Sequence, residues 1–270
     1  MRIIISLILF ISSAFANAQS NPLFKIISCS EGVTLDGVEV KPGLIVYDNS
    51  IKLEIPKNGY AGVMTIEGYA HVFAKNVKTN LINKKVRKIF ERPTVRPWGA
   101  VHRSSPYPFK FAGDIRNQFS NIYGDSVFIA FKCYYNDDPP PFKITFLNMF
   151  DDILNIDTLN NNWKVFNVRN LLNSEIAILY KVNSARHGSD IMLIKLPSKE
   201  FISKVSFDFE RLVKDPATQL ALYEIEGLYY DQIFFLYKLE KHESFDLDAI
   251  SAAYLSKTRE KYQLSQYYNK

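Results

Sequence analysis

The sequence is poor in the residues from which most active sites are built. It holds 2 cysteines, 4 histidines and 11 glycines in 270 residues. The histidines (His71, His102, His187 and His242) have no His-x-x-x-His or Glu-x-x-His spacing, and the cysteines no Cys-x-x-Cys, so no metal motif is present. No glycine-rich loop cradles a phosphate, no Gly-x-Ser-x-Gly elbow presents a serine, and the acids lack the one-three-five spacing of a calcium loop. No cofactor, metal ligand or catalytic residue is therefore expected. Apolar runs of the roughly 18 residues that a membrane-spanning helix needs are missing beyond residue 18. The apolar run at the start has another meaning. Arg2, the stretch Ile3–Phe10 and the small-x-small pattern Ala16-Asn17-Ala18 spell a cleavable export signal over residues 1–18, leaving Gln19 first. No cysteine follows to take a lipid, so the expected destination is the periplasm or the outside, with no transmembrane anchor after cleavage.

What the chain does have is aromatic mass and alternation. With 16 Tyr and 20 Phe it can build a large core, and a net charge of +5 is modest. In an exported protein that balance points to acidic protein faces, anionic glycan or lipopolysaccharide rather than nucleic acid. Cys29 and Cys133 each sit among apolar residues, Cys133 in step with Val127, Ile129 and Phe131. An oxidising compartment permits a disulfide between them, and two separate buried thiols are the alternative.

The expected fold class is mainly β with a C-terminal helical segment. Residues 19–77 read as a small all-β domain, meander or barrel-like. Asp36-Gly37 joins two short strands, and Asn58-Gly59 signals a type I′ hairpin that would set Ile55 opposite Gly62 and Leu53 opposite Met64. Glu67-Gly68 would then set Gly62 opposite Phe73. Residues 78–120 form a basic connector broken by Pro93, Pro97, Pro106 and Pro108. Residues 121–198 carry longer alternating runs, among them Val127–Tyr135 and Phe142–Phe150, and suggest a β-sandwich. Residues 199–270 are helical, with Asp215-Pro216 as an N-cap and first-turn proline, Gly227 as a breaker and Asp246 as a second cap. Apolar stripes on two sides of the 215–240 run imply two packing neighbours, and the region reads as a helical hairpin cap on the preceding domain.

The segment Gly32–Val77, with EGVTLDGVEVKPG and KNGYAGVMTIEG, resembles the small β-domain of a family of exported bacterial proteins and is distantly similar to FecR-type periplasmic β-domains. LALYEIEGLYYDQIFFLYKLEK followed by DLDAISAAYLSKTREKY is similar to the helical tail of that family. Gly227, Tyr230 and Tyr237 are placed as in one tetratricopeptide-like hairpin. The resemblance implies folding units and no catalytic residue; a FecR-type protein also carries a cytoplasmic segment and a membrane helix, where this chain has a signal.

For function the residues give three readings. The first is a non-enzymatic binding or assembly protein of the cell envelope, with envelope proteins as partners. The second is an anionic-glycan or lipopolysaccharide binder that uses Lys84, Lys85, Arg87, Lys88, Arg92, Arg96 and Trp98, a basic run with interleaved aromatics that otherwise serves as a solvated linker. The third is a hydrolase drawing acids from Asp151, Asp152 or the Ser184–Asp190 loop, where Ser, His and Asp are too close in sequence to form a triad with one another.

Overall fold

A computed structural model describes residues 21–91, 109–112, 119–133, 139–172, 175–189, 191–213, 215–240 and 245–268. Residues 1–18, read above as an expected export signal, and Arg92, Arg96, Trp98, His102, Asp190 and His242 lie outside them. Helix and strand claim comparable shares of the described chain. The fold is thus mixed α and β with several open sheets and no closed barrel; β units followed by C-terminal helices are present as expected, with a larger helical share.

The first unit contains β1 (Phe24–Cys29), β2 (Thr34–Leu35), β3 (Val38–Glu39), β4 (Ile45–Val46), β5 (Lys52–Glu54), β6 (Ala61–Thr65), β7 (Ala70–Phe73) and β8 (Val77–Lys78). A 3-10 turn, Thr79–Leu81, then leads into α1 (Ile82–Glu91). They form two four-stranded sheets, β4-β1-β6-β7 and β3-β2-β5-β8. Phe24, Ile26, Val63 and Phe73 of the first meet Leu53 and Val77 of the second, and Ile82 and Val86 of α1 join the same core. The basic segment therefore starts with a strand and an amphipathic helix that belong to this unit, and α1 ends short of Pro93.

The Asp36-Gly37 hairpin forms, with positive φ at both residues. The Asn58-Gly59 hairpin does not. Only Asn58 takes a positive φ, and Gly59 N–H donates to Pro56 C=O, a turn geometry that splays strands instead of pairing them. Strand β5 pairs with β2 and β8, and the chain crosses to the other sheet before β6. The next loop has three residues, with Gly68 at φ 81°, so Phe73 faces Ala61 and Gly62 faces Val72. This one-residue change from the expected register decides which side chains share a face. Val63, Phe73 and Ala61 point into the two-sheet core, while Met64 and Ala70 point outward.

The second unit contains β9 (Phe109–Phe111), β10 (Phe119–Asn121), β11 (Ser126–Cys133), β12 (Phe142–Leu147), β13 (Ile153–Leu159), β14 (Trp163–Asn167), the short α2 (Arg169–Leu172), β15 (Ala177–Asn183) and β16 (Met192–Lys195). Their sheets run β10-β16-β15-β12-β13 and β14-β11-β9, all pairs antiparallel except β10 with β16. Strand β11 alternates as its sequence demands. Val127, Ile129 and Phe131 enter a core with Phe142, Ile144 and Phe146; Phe128 and Ala130 face the other way. Cys29 lies in the first core and Cys133 against the second, and no disulfide joins them.

The helices α3 (Lys199–Leu212), α4 (Pro216–Ile225), α5 (Tyr229–Leu239), α6 (Ala249–Tyr262) and α7 (Ser265–Tyr268) follow. Asp215 caps α4 as the sequence predicts, and Ser198 caps α3; the cap of α6 is Asp248, two residues past Asp246. The helices cover both units and so are more than a cap on one. Their core gathers Ile27, Met64 and Ala70 from the outer face of the first unit and Phe128 and Ala130 from that of the second. Phe128 stacks on Tyr237 at a centroid distance of 4.4 Å. Residues of the two apolar stripes are shared out among several contacts: Leu236 and Tyr237 join this core, Tyr230 the second unit's core, and Tyr223 and Leu228 a cluster with Val205 of α3. Among the described residues no helix is long and apolar enough to cross a membrane.

The junction is pinned by Lys25 of β1. Its Nζ donates to Asp215 Oδ2 at 3.0 Å, Asp248 Oδ2 at 2.7 Å and Ser251 Oγ at 2.9 Å, tying one strand to the N-caps of α4 and α6. Burial alone would depress the Lys25 pKa, but hydrogen bonds to Asp248 and Asp215 carry it above the ordinary value. Lys25→Met would keep the apolar stem and strand two half-buried carboxylates, so it should lower unfolding free energy by about 2–4 kcal/mol. Urea titration of wild type and variant measures this, and adding Asp248→Asn, which still caps a helix, should recover part of the loss.

Candidate functional site

Two concavities stand out. The larger, of about 660 Å³, lies between β1, the Lys41–Gly43 turn and the helices, and Lys25, Asp215 and Asp248 line it together with Arg211 and Thr218. Most of its polar atoms are already engaged in the junction: Thr218 N–H and Oγ1–H both donate to Asp215, and Lys25 is held as above. This cleft is the seam of the fold.

The smaller groove, of about 410 Å³, is different in kind. It runs along β7 and is lined by His71, Val72, Phe73, Ala74, Lys75, Asn76, Lys85 and Lys88. The strand supplies its floor because, among the described residues, β7 ends its sheet and pairs with β6 on one side only. One wall is α1. Ile82 and Val86 bury that helix against the first core, and their spacing turns Lys84, Lys85, Arg87 and Lys88 to solvent. Lys85 and Lys88, one turn apart, look over the groove from there; Lys75 comes from the chain leaving β7. Among the described residues no carboxylate lines the groove, and Lys75, Lys85 and Lys88 have no ion-pair partner. The apolar element is His71 edge-on to Phe73, with ring centroids 5.2 Å apart. Burial lowers the His71 pKa while Glu224 opposes that shift, so the imidazole is neutral at pH 7. Asn76 is held by accepting the Ile55 N–H at 2.7 Å.

Of the basic residues singled out in the sequence, the structure brings Lys85 and Lys88 into this groove and leaves Lys84 and Arg87 exposed outside its lining. Lys75, His71 and Phe73 escaped the sequence reading. The expected register set His71 against Met64, whereas it pairs with Val63. Only the sheet order reveals that β7 is an edge.

The other candidates resolve into turns. Asn148 Oδ1 accepts the N–H groups of Phe150 and Asp152, and its amide donates to Asp152, closing the β12–β13 loop with Asp151 at φ 66°. Ser184 N–H donates to His187 C=O, and Ser184 Oγ accepts the His187 N–H at 2.9 Å, making the β15–β16 tip polar. Among the described residues no group of three or more His, Cys, Asp or Glu is placed to hold a metal ion. Burial pushes the Cys29 thiol up, away from the reactive thiolate.

One buried acid serves the fold. Asp231, in the first turn of α5, accepts the N–H groups of Tyr123 at 2.8 Å and Gly124 at 2.7 Å. Burial outweighs these bonds and pushes its pKa up to about 6. The folded value lies above the unfolded one, so this carboxyl favours folding at low pH and loses that contribution as pH rises through about 6. Relative to wild type, Asp231→Asn should gain about 2 kcal/mol between pH 4 and pH 7. Urea unfolding of both proteins at the two pH values checks the sign.

No family model, curated protein or solved structure matches the chain.

Proposed function

We propose that the protein is an exported, non-enzymatic binding or assembly protein of the cell envelope, and that the groove between β7 and α1 holds an anionic partner. One observation carries the reading: three lysines with no ion-pair partner among the described residues converge beside a His–Phe pair, and the described lining residues include no carboxylate. Lysines with no structural partner cost the fold nothing to replace, and their convergence over a concavity favours a ligand of opposite charge. The signal-like residues 1–18 support export. Envelope proteins with an acidic surface are the first class of partner; anionic glycan or lipopolysaccharide is the second, supported by the same lysines. A binding role is favoured over hydrolysis because Asp152 and Ser184 are engaged in turn hydrogen bonds.

Lys85→Glu with Lys88→Glu reverses two of the three lysines and leaves Ile82 and Val86 in place. Affinity for a soluble polyglutamate should fall about tenfold, from roughly 0.5–1 kcal/mol for each exposed charge contact, while the urea midpoint stays unchanged. Isothermal titration at low salt measures it. Equal affinity in the two proteins removes the groove as the binding surface.

A further inference from the structure

Resting on that reading, we propose that the groove takes its partner by strand addition: an extended acidic segment of a protein pairs with the outer edge of β7 at Val72, and its carboxylates meet Lys75, Lys85 and Lys88.

The phase of the β6–β7 ladder fixes which amides are available. Thr65 N–H donates to Tyr69 C=O, so Val63 with His71 and Ala61 with Phe73 are the pairs that exchange hydrogen bonds. Ala70 and Val72 consequently turn their N–H and C=O groups away from β6. Ala70 confirms the phase, since its N–H donates outward to Glu224 Oε2 on α4 at 3.3 Å. The helical layer thus closes the first outward position of the edge. The second, Val72, lies in the groove with no main-chain partner among the described residues.

Charge chooses the occupant. Lysines beside an edge discourage pairing with another copy of the same edge, which would bring its own Lys75, Lys85 and Lys88 into contact. An acidic strand meets them favourably. A strand also supplies what a glycan lacks, alternating N–H and C=O groups at the repeat of β7, and its side chains on one face can lie over His71 and Phe73.

The test uses the full chain and a blocked ten-residue peptide of alternating Glu and Val, followed by fluorescence anisotropy. Two further peptides carry N-methyl groups on all valine amides or all glutamate amides, and a sulfated oligosaccharide of equal charge serves as the glycan. The parent peptide should bind, and one of the two methylated peptides should bind at least tenfold more weakly. Val72→Pro should weaken the parent peptide similarly, because its N–H points outward and an edge strand tolerates proline there. If both methylated peptides bind like the parent while Lys85→Glu with Lys88→Glu abolishes binding, strand addition is overturned and the anion groove stands. If the oligosaccharide binds at least tenfold tighter than the peptide, the polypeptide partner is overturned. If neither ligand binds, strand addition and the anion groove fall together.

Discussion

Lys25 is the point on which the architecture turns. It sits in a strand buried along its whole length and apolar but for Ser28, and its charge is kept there by two aspartates 190 and 223 residues further along the chain. Each aspartate also caps a helix, so one ammonium group orients α4 and α6 against the same sheet. A buried lysine is a weak source of net stability but a strict source of register, because a displaced strand would leave three charges unmatched. The cluster built from Ile27, Met64 and Phe128 can form only when that geometry is reached.

A second polar network works within the helical layer. Glu224 Oε2 accepts from the Tyr254 hydroxyl at 2.6 Å as well as from the Ala70 N–H, and Oε1 accepts from Lys261 at 3.1 Å. Gln232 links Leu220 C=O to the hydroxyl of Tyr262. Strand edge and three helices are thereby joined by groups that satisfy one another out of water, the condition under which buried polarity specifies a single packing.

Local signals in the sequence were reliable wherever the structure they encode is local. Asp36-Gly37, the Asp215-Pro216 cap, the Gly227 break and the alternation of β11 depend on neighbours in the chain and are present in the fold. Asn58-Gly59 misled because Pro56 ends β5 and the partner of that strand is β2, a choice made by tertiary packing. Asp246 and Asp248 are equally good caps in isolation; Lys25 selects the second. Half of the groove was visible as Lys85 and Lys88 in a basic run. The other half needed the sheet order, since nothing in Ala70–Lys75 marks an edge strand. The short strands β9 and β10 and the exposed β13 carry too little alternation to be read in advance.

The helical layer between the two β units has a consequence for how the chain folds. The first sheet is made by about residue 73, yet its outer face, with Ile27, Met64 and Ala70, packs against a helical layer drawn mainly from Leu212 onward. Contacts spanning most of the chain must close before either unit is sealed, a high contact order that slows folding and couples both ends into one cooperative event. A ribosome that delivers the chain N-terminus first must therefore release nearly all of it before that face is covered. Until then Ile27, Met64 and Ala70 stay open to water.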